Sequence, residues 1–122
     1  MQPVMDISVL IVTYDSAGFA RGCIESILDQ KDVTFEIIVV DNRSRDKTVQ
    51  VLRELGSAIT LIESPENVGF GRGNNLAFKS ARGRYVYLLN PDATFTSSGS
   101  LRDAIRWMDQ HPECGIAGTA LE

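Results

Sequence analysis

The sequence has few cysteines, no excess of positive charge and no long hydrophobic run. Its two cysteines, Cys23 and Cys114, lack the spacing of a metal site and fall within apolar patterns, which favours buried free thiols in a reducing compartment. Its net charge of −4 argues against an extended nucleic-acid surface, so we expect no nucleic acid among its partners.

The first apolar stretch is too short for a signal peptide or a membrane span, and no basic region precedes it. We therefore expect a cytoplasmic protein, and docking onto the inner face of the membrane stays open. With 43% hydrophobic and 23% charged residues, the chain suits a single globular domain or a piece of one, covering residues 1–122.

Three almost wholly apolar runs each end on polar side chains. A run of this kind is typical of a parallel strand that helices cover on both faces. In an open α/β sheet, ligands bind beyond the carboxyl ends of the strands, so this edge is predicted to hold most of the chemistry. The runs and their endings are Ile7–Val12 before Thr13-Tyr14-Asp15, Ile37–Val40 before Asp41-Asn42, and Tyr85–Leu89 before Asn90-Pro91-Asp92.

Segments with helical periodicity separate these runs, which predicts βαβ units and a mainly parallel α/β sheet flanked by helices. Ser44 is expected to cap the second helix, with Asp46 in its first turn. Ser100 and Asp103 have the spacing of a capping box for the last helix. The other expected elements are a helix over Gly18–Gln30, a strand over Ala58–Ile62, a glycine-rich loop from Pro65 into a helix that stops at Gly83, a C-cap at His111, and a fifth strand over Cys114–Leu121.

Asp41 is the first candidate binding residue. A carboxylate at a strand end can accept a hydrogen bond from the imide N–H of a base, which uracil and thymine present at N3 and cytosine lacks. Thr13 and Tyr14 follow the first run and can add a hydroxyl and a flat aromatic face. The alternative is structural: a loop carboxylate that caps the following helix, beside a tyrosine packed on the sheet edge.

The least generic stretch runs from Asn67 to Asn75 and contains three alternate glycines. Glycines let a backbone approach a ligand closely, and a helix N-terminus after them would favour anions, with Asn74 and Asn75 adding amide groups. Arg72 would then be within reach of a phosphate. The alternative is a glycine-rich turn with Asn75 as the helix cap. The stretch is not a dinucleotide fingerprint, because it follows the third strand.

The segment Asn90-Pro91-Asp92 is the sharpest candidate site. Proline fixes the backbone and projects Asp92 from the strand end. A hard divalent cation needs few protein ligands when diphosphate oxygens supply the rest, and it neutralises the charge on a departing nucleoside diphosphate. Asn90 is a candidate contact to a ribose hydroxyl. The alternative is a polar turn in which Asp92 caps a later segment.

Four motifs, in order and over nearly the whole chain, resemble those of the family 2 glycosyltransferases. The resemblance implies the Rossmann-like GT-A fold, Mg²⁺ or Mn²⁺, and an inverting transfer from a UDP- or dTDP-sugar to a cell-surface polysaccharide or lipid-linked acceptor. The third and fourth motifs look most like the bacterial rhamnosyltransferase-like branch. The motifs are Val12-Thr13-Tyr14, Val40-Asp41-Asn42 with Ser44 and Asp46, Asn67-Val68-Gly69-Phe70 with Asn74-Asn75, and Leu89-Asn90-Pro91-Asp92-Ala93.

The resemblance also implies roles for single residues. Asn74 stands where many members carry an arginine, and Asn90 replaces the first carboxylate of the Asp-X-Asp motif. The family's catalytic base belongs to the later, acceptor-binding half, so we expect it beyond Glu122 and expect no catalytic residue in this chain. Any membrane association would then come through that missing part. By position, the nucleotide-binding residues are Thr13, Tyr14, Asp41, Asn74 and Asn90, and the metal-binding residue is Asp92.

Two other functions stay open at this point. One is a non-catalytic nucleotide-binding or regulatory module with the same fold. The other is a phosphoacceptor receiver domain, which needs an acidic pair after the first strand and a lysine after a late one. The sequence has Thr13 and Tyr14 at the first place and no lysine after Lys79, so this function ranks last.

Overall fold

The computed structural model describes residues 5–117. They form four strands and four helices in alternation, with a short 3₁₀ turn at Gly56–Ala58 after the second helix. The elements are β1 Ile7–Thr13, α1 Ala20–Leu28, β2 Phe35–Asp41, α2 Thr48–Glu54, β3 Thr60–Glu63, α3 Gly69–Phe78, β4 Tyr85–Leu89 and α4 Ser100–Gln110. None of the helices in this part of the chain is long and apolar enough to cross a membrane.

The four strands form one parallel sheet in the order β3-β2-β1-β4. All seven residues of β1 are buried, because helices cover this central strand on both faces. The register aligns Thr13 with Asp41 and Asp41 with Glu63, so three strands end at one level. On the other side of β1, Ile11 is level with Leu89. The expected α/β architecture, with its polar strand endings at one edge, is therefore confirmed.

The sheet separates two hydrophobic cores of unequal size. The larger core packs α1, α2 and α4 on one face, with Ile24 and Leu101 among its fully buried side chains. The smaller core packs α3 on the other face through Ala77, against Leu10 and Ile38. Among the helices of residues 5–117, α3 is therefore the one that packs on this face, and the crevice between β1 and β4 is the point where the connections change sides.

The prediction of a glycine-rich loop before the third helix is wrong, because these glycines lie in the helix itself. Gly69 begins α3, and Gly71 and Gly73 lie within it. A Cβ on Gly73 would lie 2.9 Å from Val12 Cγ1, so the missing side chain lets α3 approach the end of β1. The Asn42 side chain fixes the helix start: its amide donates to the Gly69 carbonyl, and its oxygen accepts the Val68 N–H.

The two expected N-caps are also wrong. α2 begins at Thr48, whose N–H donates to Asp46 Oδ1, while Ser44 bonds elsewhere. Gly99 is the N-cap of α4, and the Gln30 side chain accepts the Leu101 N–H over 2.9 Å. Both serine hydroxyls donate to oxygen atoms of the preceding loop, Ser44 to Asp41 Oδ1 and Ser100 to the Ser97 carbonyl. Asn75 is not a cap either, since it lies in the middle of α3.

The chain after α4 matches the prediction only at its start. The His111 ring nitrogen Nδ1 lies 2.7 Å from the Trp107 carbonyl, as a C-terminal cap does, and the two rings stack. No strand is present over residues 114–117, and the rest of the expected fifth strand, to Leu121, lies outside the described residues. The third strand begins at Thr60 instead of Ala58, because the 3₁₀ turn takes up residues 56–58.

Candidate functional site

The adjacent ends of β1 and β2 form a compact hydrogen-bonded unit around Asp41. The Thr13 hydroxyl donates to Asp41 Oδ1 over 2.7 Å, and the Ser44 hydroxyl donates to the same oxygen over 2.6 Å. The Ser44 N–H donates to Asp41 Oδ2 over 2.9 Å. The residue is only 1% exposed, so the carboxylate is held rigidly. Oδ2 accepts this one bond from the described residues and keeps a lone pair for a further donor.

Tyr14 is the exposed partner of this unit, with 40% of its surface accessible. The Arg45 guanidinium lies 5.6 Å from the centre of its ring, within the range of a cation–π contact. Arg45 is itself paired with Asp15, whose carboxylate also accepts the Arg45 N–H over 2.7 Å. That backbone hydrogen bond is the main reason why the pKa of Asp15 is lowered. The contacts of Arg45 with Tyr14 and Asp15 therefore fix the loop from which the Tyr14 ring projects.

A second set of bonds ties the loop after β1 to the loop after β2. The N–H groups of Asp15, Ser16 and Ala17 donate to the side chains of Ser44, Thr48 and Asp46 respectively. Asp15 can take part because it adopts a left-handed φ of 48°. Ser44, predicted as the helix cap, serves this connection instead, and Asp46, predicted in the first turn of the helix, precedes α2 and contributes both to this connection and to the start of the helix. The two loops act as one rigid wall of the crevice.

Asn90 and Asp92 follow β4, on the other side of β1. The chain turns there, with the Ala93 N–H donating to the Asn90 carbonyl over 3.1 Å. Cys23 of α1 lies beneath this turn, with its sulfur 3.6 Å from the same carbonyl. Burial, with a smaller contribution from the charge of Asp92, raises the pKa of the Cys23 thiol to about 11. The prediction of a buried free thiol is therefore confirmed for Cys23 and wrong for Cys114, which is a free thiol but only half-buried.

Asp92 has the exposure that a metal-binding carboxylate needs. Within residues 5–117, no hydrogen bond or ion pair engages its side chain, and it is exposed. The same part of the chain contains no cluster of three His, Cys, Asp or Glu residues that would hold a metal unaided. A single carboxylate fits a divalent cation only if water and diphosphate oxygens complete the coordination.

The side-chain amides of Asn74 and Asn75 do not lie at the N-terminus of α3, where the sequence predicts them. Asn74 is buried on the sheet side of the helix, and Asn75 is exposed. Both lie in the second turn, so neither is at the N-terminus, which is the position that the sequence analysis gave them. Asn74 directly follows Gly73, which abuts Val12 at the end of β1, and this keeps Asn74 close to the carboxyl edge.

Asp109 lies away from the carboxyl edge of the sheet. Its carboxylate accepts the Tyr85 hydroxyl over 2.6 Å and pairs with Arg84, both at the start of β4. The Tyr85 hydrogen bond is the first cause of its lowered pKa. It therefore lies at the amino end of the sheet, opposite the candidate site, and does not act on a ligand there.

The sequence matches one protein-family model, described as Glycosyl transferase family 2, over residues 8–121. The succinoglycan biosynthesis protein ExoO of Rhizobium meliloti is 35% identical over 120 residues, covering 98% of this chain and 33% of that protein. The poly(ribitol-phosphate) beta-N-acetylglucosaminyltransferase TarS of Staphylococcus aureus is 29% identical over 113 residues, covering 88% of this chain and 20% of that protein. The chain thus spans a third or less of the length of these two relatives.

Solved structures show the same likeness. TarS residues 1–349 in complex with UDP-GlcNAc matches with a TM-score of 0.76 and 31% identity, covering 88% of this chain and 32% of that one. The mannosyltransferase PcManGT of Pyrobaculum calidifontis, in complex with GDP-Man and Mn²⁺, matches with a TM-score of 0.78 and 27% identity. It covers 88% of this chain and 36% of that chain. The sheet and its helices are those of the GT-A fold.

Proposed function

Since the chain belongs to glycosyl transferase family 2, we propose that residues 1–122 are the donor-binding part of an inverting glycosyltransferase. The donor is a UDP- or dTDP-sugar, bound in the crevice at the carboxyl edge of the sheet. The acceptor is a cell-surface polysaccharide or a lipid-linked saccharide. The observation that carries this proposal is the rigid Thr13–Asp41–Ser44 unit, which adjoins the exposed Tyr14.

The preference for uracil or thymine over cytosine follows from the hydrogen bonds around Asp41. Every described contact to this carboxylate is a donor, so it acts only as an acceptor. The lone pair left on Oδ2 suits the imide N–H of uracil or thymine, while cytosine offers a second acceptor there and is rejected. Tyr14 supplies a ring face against which the base packs. UDP and UDP-GlcNAc are bound by TarS, a relative with the same fold.

Asn90 and Asp92 form the other wall of the crevice. We assign Asn90 to the ribose and Asp92 to the metal. Asp92 fits a hard divalent cation because its carboxylate is exposed and unpaired within the described residues. When bound with the diphosphate, Mg²⁺ or Mn²⁺ would neutralise the charge that develops on the leaving nucleotide. Cys23 supports the turn from beneath and stays protonated, so it adds no competing charge or ligand.

The inverting step also needs a base for the acceptor hydroxyl, and we place it beyond Glu122. Asp41 is committed to three donors, and Asp109 lies at the opposite end of the sheet. This chain therefore binds and orients the donor without completing the transfer. Its place in the rhamnosyltransferase-like branch stays a prediction from the third and fourth sequence motifs.

Calorimetry with the 122-residue chain tests the proposal directly. We expect UDP or dTDP to bind in the presence of Mn²⁺, CDP to bind much more weakly, and EDTA to reduce the affinity. Asp92→Ala should remove the metal dependence, whereas Asp29→Ala, which removes an exposed carboxylate at the far end of α1, should not. Equal affinity for UDP and CDP would contradict the role of Asp41, and metal-dependent binding by Asp92→Ala would contradict that of Asp92.

A non-catalytic module of the same fold is the competing function. Neither Asp41, which is buried and bonded to three donors, nor Asp109, at the opposite end of the sheet, is placed to act as the base, and both functions accommodate this. The two functions predict different behaviour for the longer protein. A transferase slowly hydrolyses its donor sugar, or transfers it, even without the natural acceptor. A binding module does neither. Release of free UDP from UDP-sugars by that longer protein separates them.

A further inference from the structure

Arg45 contacts Tyr14 and Asp15 at the same time. Its guanidinium lies over the Tyr14 ring, 5.6 Å from the ring centre. The Asp15 carboxylate holds Arg45 at two points, because Oδ1 accepts the backbone N–H over 2.7 Å and Oδ2 accepts a guanidinium N–H over 3.1 Å. A planar guanidinium stacks well on an aromatic face. Arg45 is therefore anchored where it covers one face of the Tyr14 ring.

The Arg45 contact is the one that orients the Tyr14 side chain among the residues that the structure describes. Within residues 5–117, no hydrogen bond engages the Tyr14 hydroxyl, and no other aromatic ring packs against it. The residue is 40% exposed, so its ring is open to a ligand. A cation on one face of a ring leaves the opposite face for the stacking of a planar base.

The amino end of the sheet contains a comparable contact that is closed on itself. Arg84 lies over the Tyr85 ring, 5.1 Å from its centre, and pairs with Asp109. The Tyr85 hydroxyl donates to the same carboxylate over 2.6 Å, so this tyrosine is held at its ring and at its hydroxyl. The Tyr14 ring has the guanidinium contact without that second anchor, and it stands at the edge of the sheet where ligands bind.

The residue before Arg45 holds the other half of the base site. The Ser44 N–H and hydroxyl both donate to the Asp41 carboxylate, and the Ser44 hydroxyl also accepts the Asp15 N–H over 2.9 Å. Two successive residues thus hold the carboxylate that accepts from the edge of the base and the ring that packs against its face. The short segment Ser44-Arg45 therefore sets the position of Tyr14 relative to Asp41.

We propose that Arg45 is a positioning residue for the base of the donor: it covers one face of the Tyr14 ring and makes the opposite face the stacking surface. This inference rests on the proposed function and adds to it a residue that acts through Tyr14 and does not touch the donor. Its ion pair with Asp15 offsets the charge that a diphosphate would otherwise attract. Because stacking tolerates any base, Arg45 raises the affinity for the base, while Asp41 selects it.

Calorimetry with UDP and with dihydrouridine diphosphate, both with Mn²⁺, tests this role. Dihydrouracil keeps the imide N–H that Asp41 accepts, but it has lost the planar aromatic ring. Arg45→Gln should weaken the binding of UDP by about two- to fivefold, the range of a cation–π contact at an exposed site, and leave the binding of dihydrouridine diphosphate unchanged. Arg45→Lys, which keeps a cation near the ring, should recover part of the loss.

A spectroscopic measurement tests the geometry without any nucleotide. In the NMR spectrum of the 122-residue chain, the Tyr14 ring should shift the side-chain proton signals of Arg45 upfield, because these protons lie near the face of the ring. Tyr14→Leu should return them to their usual positions. Arg45 signals that are the same in both chains would overturn the proposal.

The matched control is Arg84→Gln, which removes the same type of contact and the same charge at the amino end of the sheet. It should bind both nucleotides like the unaltered chain. If Arg45→Gln weakened the two nucleotides equally, the proposal would be overturned, since Arg45 would then act on the diphosphate or on the loop as a whole. If the unaltered chain binds UDP and Arg45→Gln binds it equally well, this inference fails and the proposed function stands. If the unaltered chain binds no UDP, both fail.

Discussion

Removing the Thr13 hydroxyl tests the rigid unit on which base recognition depends. Thr13→Val keeps the shape of a side chain that is fully buried, and it deletes the donor that lies 2.7 Å from Asp41 Oδ1. A hydrogen bond to a charged group contributes about 1.5–3 kcal/mol to stability, and here the acceptor is a buried carboxylate that cannot turn to water instead. We therefore expect the free energy of unfolding to fall by about 2 kcal/mol, within that range.

Urea unfolding followed by circular dichroism measures this loss. With a slope of about 2 kcal/mol/M, typical of a small domain, the midpoint should fall by about 1 M while the slope stays constant. Thr60→Val is the matched control, because Thr60 is exposed on β3, and it should change stability by less than about 0.5 kcal/mol. Equal midpoints for Thr13→Val and Thr60→Val would refute the account of Asp41 as a carboxylate fixed by Thr13.

Two further predictions concern packing and pH. Gly83→Ala would place a Cβ 2.5 Å from the Ser8 backbone nitrogen, so it should destabilise by about 2 kcal/mol or more, whereas Gly22→Ala, in open space on α1, should stabilise by about 0.5–1 kcal/mol in the same urea titration. A tolerated Gly83→Ala would contradict the contact between the start of β4 and β1. The raised pKa of Cys23, about 11 against a usual 9.0, means that the unfolded chain loses this thiol proton first. The contribution of Cys23 to stability should therefore be constant below pH 9 and decline from pH 9 to 11, and Cys23→Ala should lack this part of the alkaline decline. A decline of the same size in that variant would contradict the assignment.

The strands were predictable because their pattern leaves little choice. Ile7–Val12 and Ile37–Val40 are apolar at every or nearly every position, and only a strand covered on both faces accommodates such runs. Parallel pairing then brings Thr13 and Asp41 to the same level. Periodicity thus predicts that Thr13 and Asp41 share one edge, and the pairing of β1 with β2 in the structure makes them neighbours.

The glycine stretch could not be predicted from local rules. Glycine disfavours a helix interior, yet Gly73 lies within α3, because the close contact with Val12 is a tertiary one that the local sequence does not encode. The Ser44 misassignment has the same origin. A hydroxyl near the start of a helix is typical of a cap. In the fold, however, the Ser44 hydroxyl donates to Asp41 Oδ1 and accepts the N–H of Asp15, which is distant in the sequence.

Paramagnetic broadening by Mn²⁺ in the presence of UDP tests the central claim most directly, namely that the ends of β1, β2 and β4 converge on one nucleoside diphosphate. In an amide NMR spectrum, the signals of Tyr14, Asp92 and Ala93 should broaden strongly. The signals of Thr34 and Arg84, at the amino ends of the strands, should not change. Broadening centred at those amino ends, or along α3 around Arg72 while the Asp92 signal stays sharp, would contradict this claim.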